Sequence, residues 1–257
     1  MDFTGRTALV TGAAGAIGKG IAAGLLAAGA KAFITDYAPP AVDAAAAELG
    51  GGCRGLAADV TDEDAVVRAV DAAKAALGGR IDILVNVAGI VGQGKVEDLT
   101  VADWDRMFAV NCRGSFLYIK HVVPLMKAAR SGRIVNFSSK SGKTGSALMS
   151  HYSAAKAAII GLTQALAFEL ADFGINVNCL CPGITDHTGV WKSVSAGYIE
   201  SLRLPREEVV KKFTAKVPLQ RLARIEDLVA VTLFLASPGA DYMTGQAINV
   251  TGGREMH

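Results

Sequence analysis

A chain of 257 residues in which 51% are hydrophobic and 19% charged, with a formal net charge of +2, can bury a large core and fits one α/β domain, 1–257, rather than a disordered segment. Its charge is balanced along the chain, so no basic field draws nucleic acid or an anionic membrane surface, and small-molecule chemistry is the expectation. Apolar runs such as Ile21–Ala30 are broken by glycine and fall short of a bilayer span, and Met1–Arg6 has neither a basic n-region nor a long apolar h-region, which points to the cytoplasm.

Short β-rich runs alternate with longer segments whose apolar residues recur at three- and four-residue steps, predicting a doubly wound α/β fold: a parallel sheet with helices on both faces. In chain order the strands are Thr7–Thr11, Lys31–Asp36, Cys53–Asp59, Ile81–Asn86, Gly132–Ser138, Ile175–Cys181 and Ala247–Asn249, mostly continuous apolar runs as buried parallel strands require. Between them lie helices over Ile17–Ala28, Asp62–Leu77, Ala102–Lys127, Ser153–Phe173 and Ile225–Leu235, with Ala41–Ala47 as a further helix surface. Residues 185–221 are more polar, carry Trp191, and open a short helix at Pro205-Arg206-Glu207-Glu208, where proline suits a first turn; they read as a small helical lid. No repeat or linker divides the chain.

The first strand runs into Thr11-Gly12-Ala13-Ala14-Gly15-Ala16-Ile17-Gly18. Gly12 permits a tight turn, Gly15 lets the backbone approach a pyrophosphate, and Gly18 lets the following helix lie close on the strand, while the helix N-terminus offers free N–H groups to the anion. An ordinary βα loop can look the same. The context decides for a dinucleotide site on a Rossmann-type sheet: a strand precedes, a helix follows, and Asp36 ends the second strand 18 positions after Gly18. A carboxylate there accepts hydrogen bonds from the adenosine ribose and repels the extra phosphate of NADP, which favours NAD. No arginine or lysine closely follows Asp36 to welcome that phosphate. Asp59, with Val60 beside it, can accept from the adenine amino group or begin a turn that caps the next helix; both can hold at once. Asn86, Ala88 and Gly89 put small residues where backbone must pass close to the cofactor or simply pack.

Tyr152 and Lys156 are four apart at the start of a helix, so both emerge on one face. A cation beside a phenol favours the phenolate and brings its pKa down from about 10, as a group that takes a proton from an alcohol or gives one to a ketone requires. Ser139, just past the fifth strand, can hold the substrate oxygen, and Asn111 can hold a water near Lys156. Taken singly these four read as a packed aromatic, a solvated lysine, a turn serine and a polar helix position; together, on a fold with a dinucleotide turn, they read as a site. Cys53, Cys112, Cys179 and Cys181 lack the paired spacing of a zinc site, so no metal is expected and the thiols read as free.

With these residues in view, the chain resembles the short-chain dehydrogenase/reductase family over essentially its whole length. The resemblance carries Thr11–Gly18 as cofactor turn, Asn86-x-Ala88-Gly89 as the fourth-strand motif, Asn111, Ser139, Tyr152 and Lys156 as catalytic tetrad, and Pro182-Gly183 as the nicotinamide-side turn. It implies that Tyr152 is the acid/base, that Lys156 lowers its pKa and binds the nicotinamide ribose, that Ser139 orients the substrate oxygen, that Asn111 anchors a relay water, and that the protein is a homotetramer. Two positions depart from the pattern. Val87 replaces a second asparagine, and His187 stands where a threonine often contacts the carboxamide, leaving the choice between Thr185 and Thr188 open.

A narrower resemblance, over Ser139–Ser146, Tyr152–Lys156, Lys216-Val217-Pro218-Leu219 and Ile248–Gly253, is to sorbitol-6-phosphate 2-dehydrogenases among the polyol dehydrogenases. It implies a polyol, a sugar alcohol or its phosphate as substrate. Lys140, Lys143 or Lys192 would then meet a phosphate as point charges, Ser141, His151 and His187 would hydrogen-bond hydroxyls, and Trp191 would close over the substrate; a solvated lysine, a structural histidine or a packing tryptophan is the plainer role of each. Two other functions are weighed against this one. A 3-oxoacyl-thioester reductase generally takes NADPH, which Asp36 argues against, and a non-catalytic NAD-binding protein need not keep all four of Asn111, Ser139, Tyr152 and Lys156.

Overall fold

The structure, a computed structural model, describes residues 1–189, 191 and 205–257; Lys192 and much of the expected lid fall outside these residues. Seven strands, β1 (Thr7–Thr11), β2 (Lys31–Asp36), β3 (Arg54–Ala57), β4 (Ile83–Asn86), β5 (Gly132–Phe137), β6 (Ile175–Pro182) and β7 (Ala247–Val250), form one sheet in the order β3-β2-β1-β4-β5-β6-β7, with every pair parallel. The helices are α1 (Ala16–Ala27), α2 (Pro39–Leu49), α3 (Glu63–Ala76), α4 (Val101–Phe108), α5 (Gly114–Ala129), α6 (Lys140–Thr144), α7 (Ser150–Leu170), α8 (Arg206–Thr214) and α9 (Ile225–Ala236).

The central strands are apolar on both faces because both are covered. Ala8, Val10, Ile34, Val85 and Val135 turn to one layer, where Ile21, Leu25, Val42, Leu228 and Leu235 of α1, α2 and α9 meet them. Leu9, Phe33, Leu84, Ile134 and Val177 turn to the other, against Val66 and Val70 of α3 and Leu117 and Val122 of α5. Burying each such side chain contributes roughly 1.5–3 kcal/mol. Buried Asp82 accepts from the Thr7 amide at 2.8 Å and its hydroxyl at 2.9 Å, pinning the N-terminal ends of β1 and β4 together. Their carboxyl ends open instead, because the chain leaves β1 towards β2 on one side and β4 towards β5 on the other, which makes the crevice where open α/β sheets bind ligands.

Four features differ from the sequence expectation. The long helix expected over Ala102–Lys127 is interrupted by a π-helical stretch, Ala109–Arg113, whose wider turn keeps the apolar face continuous while resetting the ladder at Asn111. Strand β3 is shorter than Cys53–Asp59 because it is a sheet edge and because Asp59 folds back on the amide and hydroxyl of Thr61, each at 2.8 Å. Helix α6 was not expected; its five residues include glycine and carry no apolar period, and it forms because Ser139 caps it, accepting from the Ser141 amide at 3.1 Å. Finally, Ser150–Phe173 has the length and apolarity to cross a bilayer, against the expectation that no segment does. Its Tyr152, Ala155, Lys156, Ile159 and Thr163 are buried where α7 packs on β5 and β6, the setting of a core helix in a covered sheet.

Candidate active site

The turn between β1 and α1 is built by close approach. Gly12 has φ of +66°, and a Cβ there would lie 2.7 Å from the Ala88 nitrogen; one at Gly18 would lie 2.4 Å from the Gly12 oxygen. Thr11 locks the two loops together, its hydroxyl accepting from the amides of Val87 at 3.1 Å and Ala88 at 3.2 Å. Helix α1 begins at Gly15 with no side-chain cap and no acid in its first turn, so its leading N–H groups and dipole are left for an anion. That vacancy of charge, beside a backbone cradle no Cβ would fit, suits the pyrophosphate of a dinucleotide. Asp36 reaches the same turn: its Oδ2 accepts from the Ala14 amide at 2.9 Å and its Oδ1 from the Tyr37 amide at 2.7 Å. Asp59 forms its turn with Thr61, whereas Asp62 caps α3. The side chain of Asn86 donates to Asn136 at 2.9 Å, and Asn136 donates to Thr163 at 3.0 Å, tying β4 to β5 and α7.

At the other end, α7 starts three residues earlier than the sequence suggests, which puts Tyr152 and Lys156 in its first turns, both buried. The Lys156 ammonium donates to the Phe137 carbonyl at 2.9 Å and sits 5.9 Å from the centroid of the Tyr152 ring. Burial pushes Lys156 down to about 8. Burial also pushes the Tyr152 phenol above its ordinary value, while a hydrogen bond with the Ser139 hydroxyl pulls it back. The Lys156 ammonium is held by a carbonyl beside the ring, and the two causes that act on the phenol here are burial and the Ser139 hydroxyl. Asn111 spends its amide on protein, accepting from the Ile90 amide at 3.2 Å and donating to the Ile90 and Met107 carbonyls at 3.0 and 3.1 Å. The side chain expected to hold a relay water is therefore occupied. It acts instead on Gly89, where a Cβ would lie 2.6 Å from its Oδ1 and 3.3 Å from the Lys156 nitrogen.

One cavity of about 540 Å³ is lined by Ile17, Gly89, Asn111, Ser139, Tyr152, Lys156, Gly183 and Thr185. Pro182 and Ser141 also line it; the Ser141 hydroxyl shares a hydrogen bond with Ser146 at 2.8 Å. Trp191 is buried in the wall, edge-on to Phe213 with centroids 5.8 Å apart, and its Nε1 has no partner among the described residues. Three expected substrate contacts lie elsewhere. Lys143 turns to β7 and donates to the Ala247 carbonyl at 2.7 Å. His151 is buried against Gly92, where a Cβ would lie 2.8 Å from its Nε2, and does not line the cavity. His187 is 83% exposed beside Asp186, on a residue with φ of +55° that turns its ring outward. Conversely, Lys212, Phe213, Lys216 and Arg254 line the cavity although none of them was expected at the site, Lys216 entering the sequence reading only within a segment of resemblance.

The model of the short chain dehydrogenases matches residues 6–198, three-quarters of a chain whose glycine turn and Tyr152–Lys156 helix meet in one pocket. The chain belongs to the short-chain dehydrogenase/reductase family. It is 40% identical to a sorbitol dehydrogenase of Cereibacter sphaeroides and 39% to a galactitol 2-dehydrogenase of Agrobacterium fabrum, in both cases over all of both chains. It is 36% identical to a sorbitol-6-phosphate 2-dehydrogenase of Escherichia coli, over 98% of this chain and 99% of the relative. Among solved structures it is similar to an NAD⁺-bound xylitol dehydrogenase, with a TM-score of 0.92, 32% identity and coverage of 98% of this chain and all of that one. It is equally similar to an actinorhodin polyketide ketoreductase with NADPH, with a TM-score of 0.94, 34% identity and 98% coverage of both. As a short-chain dehydrogenase/reductase the protein is an oxidoreductase acting on CH–OH groups, and its seven-stranded parallel sheet is the family's.

Proposed function

We propose that the protein transfers hydride between NAD and a secondary alcohol or ketone of a polyol, a sugar alcohol or its phosphate. The observation that carries this reading is the arrangement of Ser139, Tyr152 and Lys156 around a cavity that the dinucleotide turn also enters. When bound, the nicotinamide supplies the hydride acceptor or donor and, oxidised, a positive charge beside Tyr152. The rest is the chain's own chemistry. Ser139 donates to the substrate oxygen, Tyr152 removes the hydroxyl proton as the C–H hydride leaves or returns it to the forming alkoxide, and the Lys156 ammonium favours the phenolate. Asn111 is a positioning residue for Gly89 and Ile90, so a relay water would rest on main-chain atoms of the π-helical stretch. Of the two threonines, Thr185 is the better carboxamide contact. The Thr188 hydroxyl already donates to the Thr185 carbonyl at 2.9 Å and accepts from the Trp191 amide at 3.0 Å, whereas Thr185 makes only a 3.4 Å contact with the Gly183 carbonyl.

Asp36 supports NAD over NADP, because its carboxylate lies at the turn where the 2′-phosphate would have to sit. Lys19 of α1 offers no relief, since it is paired with Glu48 at 2.6 Å. The test is a panel of sugar alcohols, their phosphates, and linear and cyclic secondary alcohols assayed with both nucleotides. Repulsion between a carboxylate and a phosphate in contact is expected to favour NAD in kcat/KM by about 100-fold, and Asp36→Ala to narrow that gap about tenfold or more. An unchanged ratio in the variant would remove Asp36 from the assignment, and no turnover of any member would remove the polyol reading.

We also infer a homotetramer in a reducing compartment, the cytoplasm. Val101 and Trp104 of α4, Phe116 of α5 and Phe168 of α7 are exposed, large apolar groups that association would cover, and all four cysteines are free. Sedimentation velocity should give four times the mass of one chain; a monomer at micromolar concentration overturns the assembly.

A further inference from the structure

The end of the cavity away from the glycine turn is a corner of positive charge. Lys140 follows Ser139 at the start of α6, Lys212 and Lys216 come from the end of α8 and the turn beyond it, and Arg254 comes from the C-terminal turn; all four line the cavity. No aspartate or glutamate lines it among the described residues. Among the described residues the acid at the corner is Glu255, whose Oε1 lies 3.8 Å from the Lys140 ammonium and 3.4 Å from Arg254 Nε, so one carboxylate is shared by two cations. The arrangement is built rather than incidental. Gly252 and Gly253 have φ of +65° and +91°, and Cβ atoms there would lie 2.7 Å from Val217 and 2.9 Å from Pro218. Only glycines let the C-terminal turn close on residues 217–219, where the Leu219 amide donates to the Gly252 carbonyl at 3.2 Å. The Thr251 hydroxyl then donates to the Glu255 carbonyl at 3.1 Å and accepts from its amide at 3.3 Å. The turn thus holds Arg254 and Glu255 against Lys140, with Lys216 near enough for the two lysine charges to oppose each other.

We propose that this corner binds a phosphate monoester at the end of the substrate remote from the carbon that is oxidised, so that the substrate is a phosphorylated polyol or ketose rather than a neutral one. This rests on the dehydrogenase reading above. Among the described residues four cations face one carboxylate, an excess of three positive charges, which a dianionic phosphate with its several acceptor oxygens matches and a neutral polyol, needing acceptors as well as donors, does not. The phosphates of the dinucleotide are not what the corner serves. Their turn and Asp36 follow β1 and β2, whereas the corner follows β5 and β7, towards the opposite edge of the sheet.

The test compares oxidation of sorbitol 6-phosphate and sorbitol by the NAD-loaded enzyme and by Arg254→Gln and Lys216→Gln. The phosphorylated probe is expected to have a kcat/KM about 100-fold higher, carried by KM, and each variant to lower that ratio about tenfold, as losing one charge-assisted contact does. A ratio near one that neither variant moves overturns the phosphate corner and leaves the dehydrogenase standing. If neither probe turns over, the polyol reading fails, and the corner is judged by calorimetric titration of inorganic phosphate into the NADH complex. Saturable binding that Arg254→Gln weakens about tenfold keeps it; no saturable binding, or binding indifferent to both variants, overturns it.

Discussion

Tyr152→Phe is expected to lower kcat by about 10²- to 10⁴-fold in either direction, the range over which a positioned acid/base acts, while leaving the NADH dissociation constant within about threefold. The phenylalanine ring fills the same buried space on α7, so the first turn and the Phe137 contact of Lys156 keep their geometry. Only the hydroxyl that would exchange a proton with the substrate is gone, and Ser139 keeps the Ser141 amide as a partner. Nicotinamide fluorescence reports binding and single-turnover absorbance reports chemistry. A variant that binds NADH and still oxidises alcohol within tenfold of wild type would take the proton away from Tyr152.

Lys156→Met should act through charge rather than contact. With the ammonium 5.9 Å from the centroid of the ring and an effective dielectric near 20, its attraction for a phenolate is at most about 3 kcal/mol, or about two pKa units. Oxidation by the wild type should therefore rise with pH, and at pH values below about 8, where Lys156 is still charged, the variant should be slower by up to about 10²-fold, a gap that closes as the ammonium is lost above that pH. Methionine preserves the stem, so a gap that closes with pH marks an electrostatic role, whereas uniform loss at every pH marks a merely structural one. Stability gives an independent check. The folded protein releases the Lys156 proton near 8 and the unfolded chain near 10.4, so between these values the unfolded state binds more protons and wild-type stability gains with rising pH from this group. Below that window the burial penalty is paid in full. Denaturant midpoints of the variant should lack this upward contribution, and equal slopes for both proteins would show that the ammonium is not buried as described.

How much of this was legible in the sequence depended on whether the signal was local. Strands β1 and β2 match the predicted runs Thr7–Thr11 and Lys31–Asp36 to the residue, because buried parallel strands have largely apolar centres and a glycine turn marks the end of β1 and an acid that of β2. The π-helical stretch was not legible, since inserting one residue into a turn leaves the apolar spacing of Val101–Ala129 nearly unchanged. Neither was the aim of a side chain. Lys143, His151 and His187 stand next to residues of the cavity in sequence, but one rotation along a helix or one left-handed residue in a loop turns them to β7, to Gly92 and to solvent. Lys216 and Arg254 failed for the opposite reason: they are distant from Ser139 and Tyr152 along the chain, and what unites them is a tertiary closure over two glycines that carries no periodicity.

The cavity draws on separate parts of the polypeptide, with Ile17 of the dinucleotide turn, Val87 and Gly89 contributed before residue 90 and the acid/base helix and cationic corner after residue 138, while Asp36 sits at the same turn outside it. Divergence can therefore proceed on one part alone. A descendant could trade its substrate by altering the α8 end and the last few residues while its redox part stays untouched, or change nucleotide at Asp36 without relearning what it oxidises, so the two choices are free to evolve as separate traits.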